Sequence, residues 1–250
     1  MNSFIPSSPP PSSSEICEIE LRGISKKFGA IQANDQVDLK ARAGTIHAIV
    51  GENGAGKSTA MKILYGMLAP DAGEIVVRGK TVRFRSSADA IAAGIGMVHQ
   101  HFMLAARHTA LDNILVGVEP TRWGMLRRRH ARRELSAFAA QYDLESWLNL
   151  PIEDLPLGVR QRVEILKLLY RKANVFILDE PTAVLTPREA DGLFSNLEAL
   201  KREGKTILLI THKLREVLAA SDCVSIMRAG KVVAERNTAD TNAEELALLM

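Results

Sequence analysis

The sequence predicts an α/β protein: a mixed, mostly parallel sheet core carrying a phosphate loop, with a small antiparallel β part and an inserted helical lobe. Three observations carry that prediction. Residues Gly51 to Ser58 read GENGAGKS, between an apolar run, Ile46 to Val50, and a helix-like stretch, Thr59 to Leu64. Strand, glycine loop and helix in that order are the setting in which such a loop binds phosphate. Asn174 to Leu178 and Thr206 to Ile210 are continuous apolar runs rather than alternating ones, as strands of a parallel sheet covered on both faces should be. Residues 102 to 172 then differ in texture, with helical periodicity and few β-branched runs.

Along the chain, residues 1 to 14 are rich in Pro and Ser and lack the basic start and apolar core of a secretion signal, so a disordered tail is expected. Residues 16 to 50 read as short β segments, with Ile16, Ile19 and Leu21 in one and Val37 and Leu39 in another. Lys57 to Leu68 reads as a helix with Met61, Leu64, Tyr65 and Leu68 on one face, ended by the turn residues Ala69 to Gly73. Glu74 to Val77 and Thr81 to Phe84 flank Arg78-Gly79-Lys80 as a hairpin. In the helical stretch, Arg127-Arg128-Arg129-His130-Ala131-Arg132-Arg133 is the densest basic cluster. Without interleaved aromatics or a wider basic face it reads as a solvated helix surface.

Thr186-Pro187-Arg188-Glu189 is a capping box with Pro at the first helical position. It opens a helix whose buried face is Ala190, Leu193, Phe194, Leu197 and Leu200, and Gly204 ends it. Val224 to Met227 and Lys231 to Ala234 form a last β pair, turning at Arg228-Ala229-Gly230. Thr241 to Met250 begins a capped amphipathic helix.

Composition narrows the function classes. Apolar residues make up 46% and charged residues 24% of 250, an ordinary balance for a soluble protein. A net charge of +3 is too small to point to a nucleic acid or a lipid surface, and no nucleic acid partner is expected. No apolar stretch is long enough to cross a bilayer. Cys17 and Cys223 are isolated, match no metal or redox spacing, and suggest a reducing compartment. With no bilayer-length apolar stretch and no secretion signal, a cytoplasmic location is expected.

The candidate chemistry starts at the loop. Gly51, Gly54 and Gly56 let the backbone turn so that successive N–H groups converge on phosphate oxygens. Glu52, Asn53, Ala55 and Thr59 complete the candidate nucleotide-binding stretch. Lys57 can reach the β- and γ-phosphates, and the Ser58 hydroxyl can bind Mg²⁺. A second element is Val175-Phe176-Ile177-Leu178-Asp179-Glu180. Here an apolar strand delivers Asp179 to its polar end, where it can hold Mg²⁺ through water, and Glu180 can polarise an attacking water.

In order, the phosphate loop, Gln100 after Gly96-Met97-Val98-His99, Asp179-Glu180-Pro181-Thr182, and Thr211-His212 after a strand resemble an ABC-transporter ATPase over about residues 16 to 240. The resemblance implies ATP and Mg²⁺ as ligands, ATP hydrolysis as the reaction, and an ABC ATPase fold over residues 15 to 250. Residues 15–101 and 173–240 would form the catalytic core with its β part, residues 102–172 the helical lobe, and residues 241–250 the start of a C-terminal helix. It further implies that Phe28 stacks on adenine, that Gln100 contacts Mg²⁺ and water, and that His212 contacts the γ-phosphate. Phe28 as ordinary core packing stays open as an alternative. The other five histidines are expected at the surface or in packing, and His99 and His101 lack a trusted metal spacing.

Leu155-Pro156-Leu157-Gly158-Val159-Arg160-Gln161 resembles the family's signature segment, which serves the nucleotide of an opposing subunit. Pro156 stands where the family usually has Ser, and Val159 where it has Gln. Pro has neither hydroxyl nor N–H, but the helix N-terminus from Gly158 onward still offers backbone N–H groups to a γ-phosphate. Thr186 replaces the usual Asp at the interface. With Arg162-Val163-Glu164-Ile165 and Ala183-Val184-Leu185-Thr186-Pro187, these departures are similar to the importers of simple sugars and nucleosides. That subfamily implies membrane permease subunits, a second ATPase cassette (in tandem or as a homodimer), and an extracytoplasmic solute-binding protein acting indirectly. It also implies peripheral attachment at the cytoplasmic face of the membrane, and the apolar ending suggests the first cassette of a tandem protein, or a shortened version of one. The competing expectation is a soluble ATPase of the same type acting on nucleic acid or ribosomes.

Overall fold

Two long strands open the described chain, where short segments are expected. In this computed structural model, β1 (Cys17–Phe28) and β2 (Ile31–Arg42) pair antiparallel, joined across Gly29 and Ala30. Charged residues on the outer face and register shifts near Ile24 and Lys26 break the alternation, which hides the strands' length from a pattern search. Inward, Ile19, Leu21, Ile24, Val37 and Leu39 are buried. Outward, Glu18 pairs with Arg78, and Glu20 with Arg22 and Lys40. The structure describes residues 17–100, 102–118, 121–122, 125–126, 128–142 and 144–250. The expected tail, Ile16, His101, Arg127 and the side chains of Arg128, Arg129 and His130 lie outside the described residues.

Next come β3 (Ile46–Val50), wholly buried, and helix α1 (Lys57–Leu64). The helix stops a turn before the expected Leu68. Gly66 takes a φ of 72°, and the N–H groups of Met67 and Leu68 both fold back onto the Lys62 carbonyl, a left-handed C-terminal cap. The expected hairpin follows as β4 (Ala72–Val77) and β5 (Lys80–Val82). Arg78 and Gly79 between them have φ of 48° and 74°, the double left-handed turn that matches strand twist. The antiparallel sheet runs in the order β2-β1-β4-β5.

Helix α2 (Ser87–Ala92) leads into β6 (Ile95–Val98), and the helical lobe follows. The lobe holds α3 (Ala110–Leu115), the short strands β7 (Thr121–Arg122) and β8 (Met125–Leu126), α4 (Arg128–Ala140) and α5 (Leu157–Tyr170). The β7–β8 pair is absent from the sequence expectation; strands of two residues leave no period to detect. The lobe has its own core of Leu111, Ile114, Leu135, Leu144, Leu148, Val163 and Leu166.

The chain then supplies β9 (Val175–Asp179), α6 (Pro187–Arg202), β10 (Thr206–Ile210), α7 (Leu214–Ala220), β11 (Cys223–Arg228), β12 (Lys231–Asn237) and α8 (Ala243–Leu249). The main sheet has the order β12-β11-β3-β10-β9-β6, parallel except for the edge strand β12. All residues of β3, β6, β9 and β10 are buried, as the uniform apolar runs require. The capping box of α6 forms as read from the sequence, with Leu193, Leu197 and Leu200 buried. Among the described residues no helix is long and apolar enough to cross a membrane.

Candidate functional site

The parallel strands β3, β9 and β10 end side by side, so the turns that follow them cluster at one edge of the sheet. The turn after β3 is the glycine loop. An added Cβ at Gly51 would lie 2.2 Å from the Met227 carbonyl oxygen, and one at Gly56 would lie 2.3 Å from that of Ala33. Gly51 and Gly56 also take φ of 154° and 96°, where side chains are strained. The loop is thus held between two neighbouring segments. The Gly230 N–H donates to the Ala55 carbonyl at 3.1 Å, and Asn34 Nδ2 donates to the Gly56 carbonyl at 3.1 Å.

Lys57 is buried, with Nζ donating to the carbonyls of Gly51 at 2.7 Å and Glu52 at 2.9 Å. Burial pushes its pKa down, opposed by the charges of Glu180 and Asp179. Ser58 Oγ donates to Asp179 Oδ1 at 3.2 Å. Burial raises the Asp179 carboxyl above its usual range, while Ser58 pulls it back. A hydroxyl and a desolvated carboxylate in contact are hard oxygen donors, a set that fits Mg²⁺.

Glu180 follows with φ of 48°, a left-handed torsion for a residue with a side chain. Such a torsion costs about 1–3 kcal/mol and is kept where surroundings enforce it. Here the Glu180 N–H donates to the Ile210 carbonyl at 2.9 Å. Its carboxylate meets two other candidate residues: Gln100 Nε2 donates to Oε2 at 3.3 Å, and His212 Nδ1 lies 3.0 Å from Oε1. Gln100, Glu180 and His212, which end or follow β6, β9 and β10, therefore form one cluster.

A cavity of about 520 Å³ joins this cluster to the glycine loop from Asn53 to Thr59. Phe28 lies on its wall and is 46% exposed, which rules out a core-packing role. The wall also includes Ile31, Gln32 and Ala33, residues that sequence reasoning missed. No local pattern marks them; they reach the cavity only because the β1–β2 turn folds over the loop.

The seven signature-like residues divide. Leu155 and Val159 are buried in the lobe core, Gln161 is buried with Nε2 donating to the Pro181 carbonyl at 2.7 Å, and the Arg160 guanidinium donates to the carbonyls of Leu155 and Glu153. These four side chains make their contacts within this chain. Pro156, at the N-cap of α5, and Leu157 are exposed and Gly158 is half-buried. None of the seven lines the cavity at the glycine loop. His99 stacks edge-on against Tyr65, and no metal-binding cluster of His, Cys, Asp and Glu occurs among the described residues.

Comparison with known proteins bears on this geometry. Residues 34–183 match the model of the ABC transporter family. The chain is 45% identical over 232 residues to the nucleoside import ATP-binding protein NupA of Lactococcus lactis subsp. cremoris, covering 93% of this chain and 46% of that protein. It is 43% identical over 260 residues to the glucose import ATP-binding protein TsgD13 of Haloferax volcanii, covering 93% of this chain and 47% of that one. The chain thus spans about half the length of the curated relatives it matches. Its fold is similar to a crystal structure of the ADP conformation of MJ1267, an ATP-binding cassette of an ABC transporter. That match has a TM-score of 0.82 and 25% identity, and covers 93% of this chain and 99% of the other.

Proposed function

This chain belongs to the ABC transporter family, and from that premise we propose that it hydrolyses ATP to ADP and phosphate to drive uptake of a small polar solute through partner permease subunits. The observation that carries the reading is the meeting of Gln100 and His212 on the Glu180 carboxylate, beside the glycine loop. Phosphoryl transfer asks the protein for positioning and charge stabilisation rather than covalent chemistry. The amides from Glu52 to Thr59 and the Lys57 ammonium would hold the phosphates. Ser58, Gln100 and Asp179 would hold Mg²⁺, which when bound neutralises charge developing on the phosphate oxygens. Glu180 would orient and polarise the attacking water. His212 would keep the Glu180 carboxylate in place and face the γ-phosphate, and Phe28 would offer its ring face to adenine.

The functions of these relatives, nucleoside import and glucose import, support a nucleoside or simple sugar as the solute. The Leu-Pro form of the signature agrees with that subfamily. The exposed Pro156, Leu157 and Gly158 would face the nucleotide of a second cassette, in tandem or as a homodimer. The extracytoplasmic binding protein would act only through the permease, and attachment to the cytoplasmic face of the membrane would be peripheral. The catalytic core would comprise residues 15–101 and 173–240, and the helical lobe 102–172.

Glu180→Gln tests the reading. The variant should retain MgATP binding and release phosphate about 100-fold or more slowly. Wild-type turnover in this variant would overturn the role given to Glu180.

A further inference from the structure

Glu216 lies in the first turn of α7, four residues past His212. Its carboxylate accepts from Thr182 Oγ1, with its two oxygens at 2.7 and 2.8 Å, and from Thr211 Oγ1 at 3.2 Å. Thr182 and Thr211 are each 2% exposed. Thr182 follows Glu180 by two residues, and Thr211 directly precedes His212. One carboxylate therefore grips both loops that deliver the Glu180–His212 pair.

Lys213 closes the ring. Its N–H donates to Thr211 Oγ1 at 3.1 Å, its Nζ donates to the carbonyl and hydroxyl of Thr182 at 3.1 Å each, and Nζ pairs with Glu216 at 3.2 Å. On the other side of the same loop, Gln161 of α5 donates to the Pro181 carbonyl. The segment after Glu180 is thus anchored to α5 and to α7.

The chemistry calls for a carboxylate at this position. Each threonine hydroxyl already accepts a hydrogen bond from Lys213, so each has its proton left to give. An ionised carboxylate, which only accepts, can take both, and charged acceptors make the stronger bonds. An acidic residue serving only the dipole of α7 would lie against its own helix N–H groups. This one reaches across to the loop after β9.

We propose that Glu216 is a positioning residue for hydrolysis: by bonding Thr182 and Thr211 at once, it fixes the separation of Glu180 and His212. The proposal rests on the ATPase reading above. Glu216 acts through the two loops and does not line the cavity at the glycine loop. Its loss should therefore affect turnover more than nucleotide binding, since a misplacement of about 1 Å in reacting groups can cost about 100-fold in rate.

The experiment measures phosphate release and fluorescent-nucleotide affinity for the whole chain and for Glu216→Ala, Glu216→Gln, Thr211→Val and the Glu216→Ala/Thr211→Val double variant, with circular dichroism melts of each. Expected are a fall of about 10-fold or more in kcat for Glu216→Ala, with nucleotide Kd changed less than about 2-fold. Partial recovery is expected in Glu216→Gln, which keeps one acceptor oxygen. The double variant should be no slower than the worse single variant, as for residues acting as one unit. Wild-type kcat in Glu216→Ala, or kcat and affinity falling together with the melting temperature, would overturn the proposal. Glu180→Gln, measured alongside, separates the two readings. If wild type releases no more phosphate than Glu180→Gln, the ATPase reading fails and this one with it. If wild type is active and Glu216→Ala equals it, only the positioning role fails.

Discussion

At the scale of single residues, His47 shows how burial sets chemistry. Its ring is fully buried on β3, with Nδ1 3.1 Å from Cys223 Sγ and Nε2 2.8 Å from Ser225 Oγ, both on β11. Burial lowers its pKa to about 4, with Arg42 adding to the effect, and burial raises the Cys223 thiol to about 11. The thiol therefore keeps its proton and can donate it to the neutral ring. A depressed folded pKa means the contribution is full above the unfolded value of about 6.5 and is lost as pH falls toward 4. Between pH 7 and pH 5 the loss should be about 2 kcal/mol. Urea unfolding at the two pH values measures it, and His47→Gln should remove most of the difference, whatever its absolute stability. An undiminished pH dependence in that variant would place the titrating group elsewhere. None of this was legible in Ile46-His47-Ala48-Ile49-Val50, because both partners arrive from residues 223 and 225. Glu216 was hidden for the same reason: its partner Thr182 lies 34 residues away along the chain.

At the scale of elements, legibility followed locality. The glycine loop, the α6 capping box, the two hairpin turns and the uniform strands β9 and β10 carry their signals within a few residues, and each forms where expected. β1 and β2 did not declare their length, because their outer face is stabilised by ion pairs rather than by apolar alternation, Lys40 to Glu20 across the strands and Arg78 of the β4–β5 turn to Glu18. Half of the site was equally local: Lys57, Ser58, Asp179 and Glu180 could be read from their own strand and loop. Gln100, His212 and Phe28 needed the family resemblance, since a lone Gln, His or Phe has no pattern. For α6, the Glu189 carboxylate accepts from the Thr186 N–H at 2.9 Å, and Thr186 Oγ1 accepts from the Glu189 N–H at 3.4 Å. Thr186→Ala removes the second bond and should cost about 1 kcal/mol in urea unfolding. A change near zero would mean that Glu189 alone caps the helix.

At the scale of the whole molecule, the helical lobe has a core of its own, while α5 also sends Ile165, Leu168 and Leu169 into the core packed on the main sheet. The cavity by the glycine loop is walled by the β1–β2 turn, the loop itself and the ends of β6, β9 and β10, and Phe28 and His212 are both partly exposed beside it. The tip of α5 at Pro156 and Leu157 is exposed too, yet absent from that wall. Under the proposed function, two copies arranged face to face would each cover the other's cavity with this tip. Glu180→Gln should therefore shift from monomer to dimer mass on adding MgATP, as measured by light scattering. A mass that stays monomeric at saturating nucleotide would count against closure between copies. The left-handed torsion at Glu180 sets a further tension in this molecule. Selection has tolerated a sterically awkward backbone at the position proposed to activate water, so durability and turnover oppose each other there. Glu180→Gly, free of the steric conflict, should yield a chain that withstands heat at least as well as the native one and does no work.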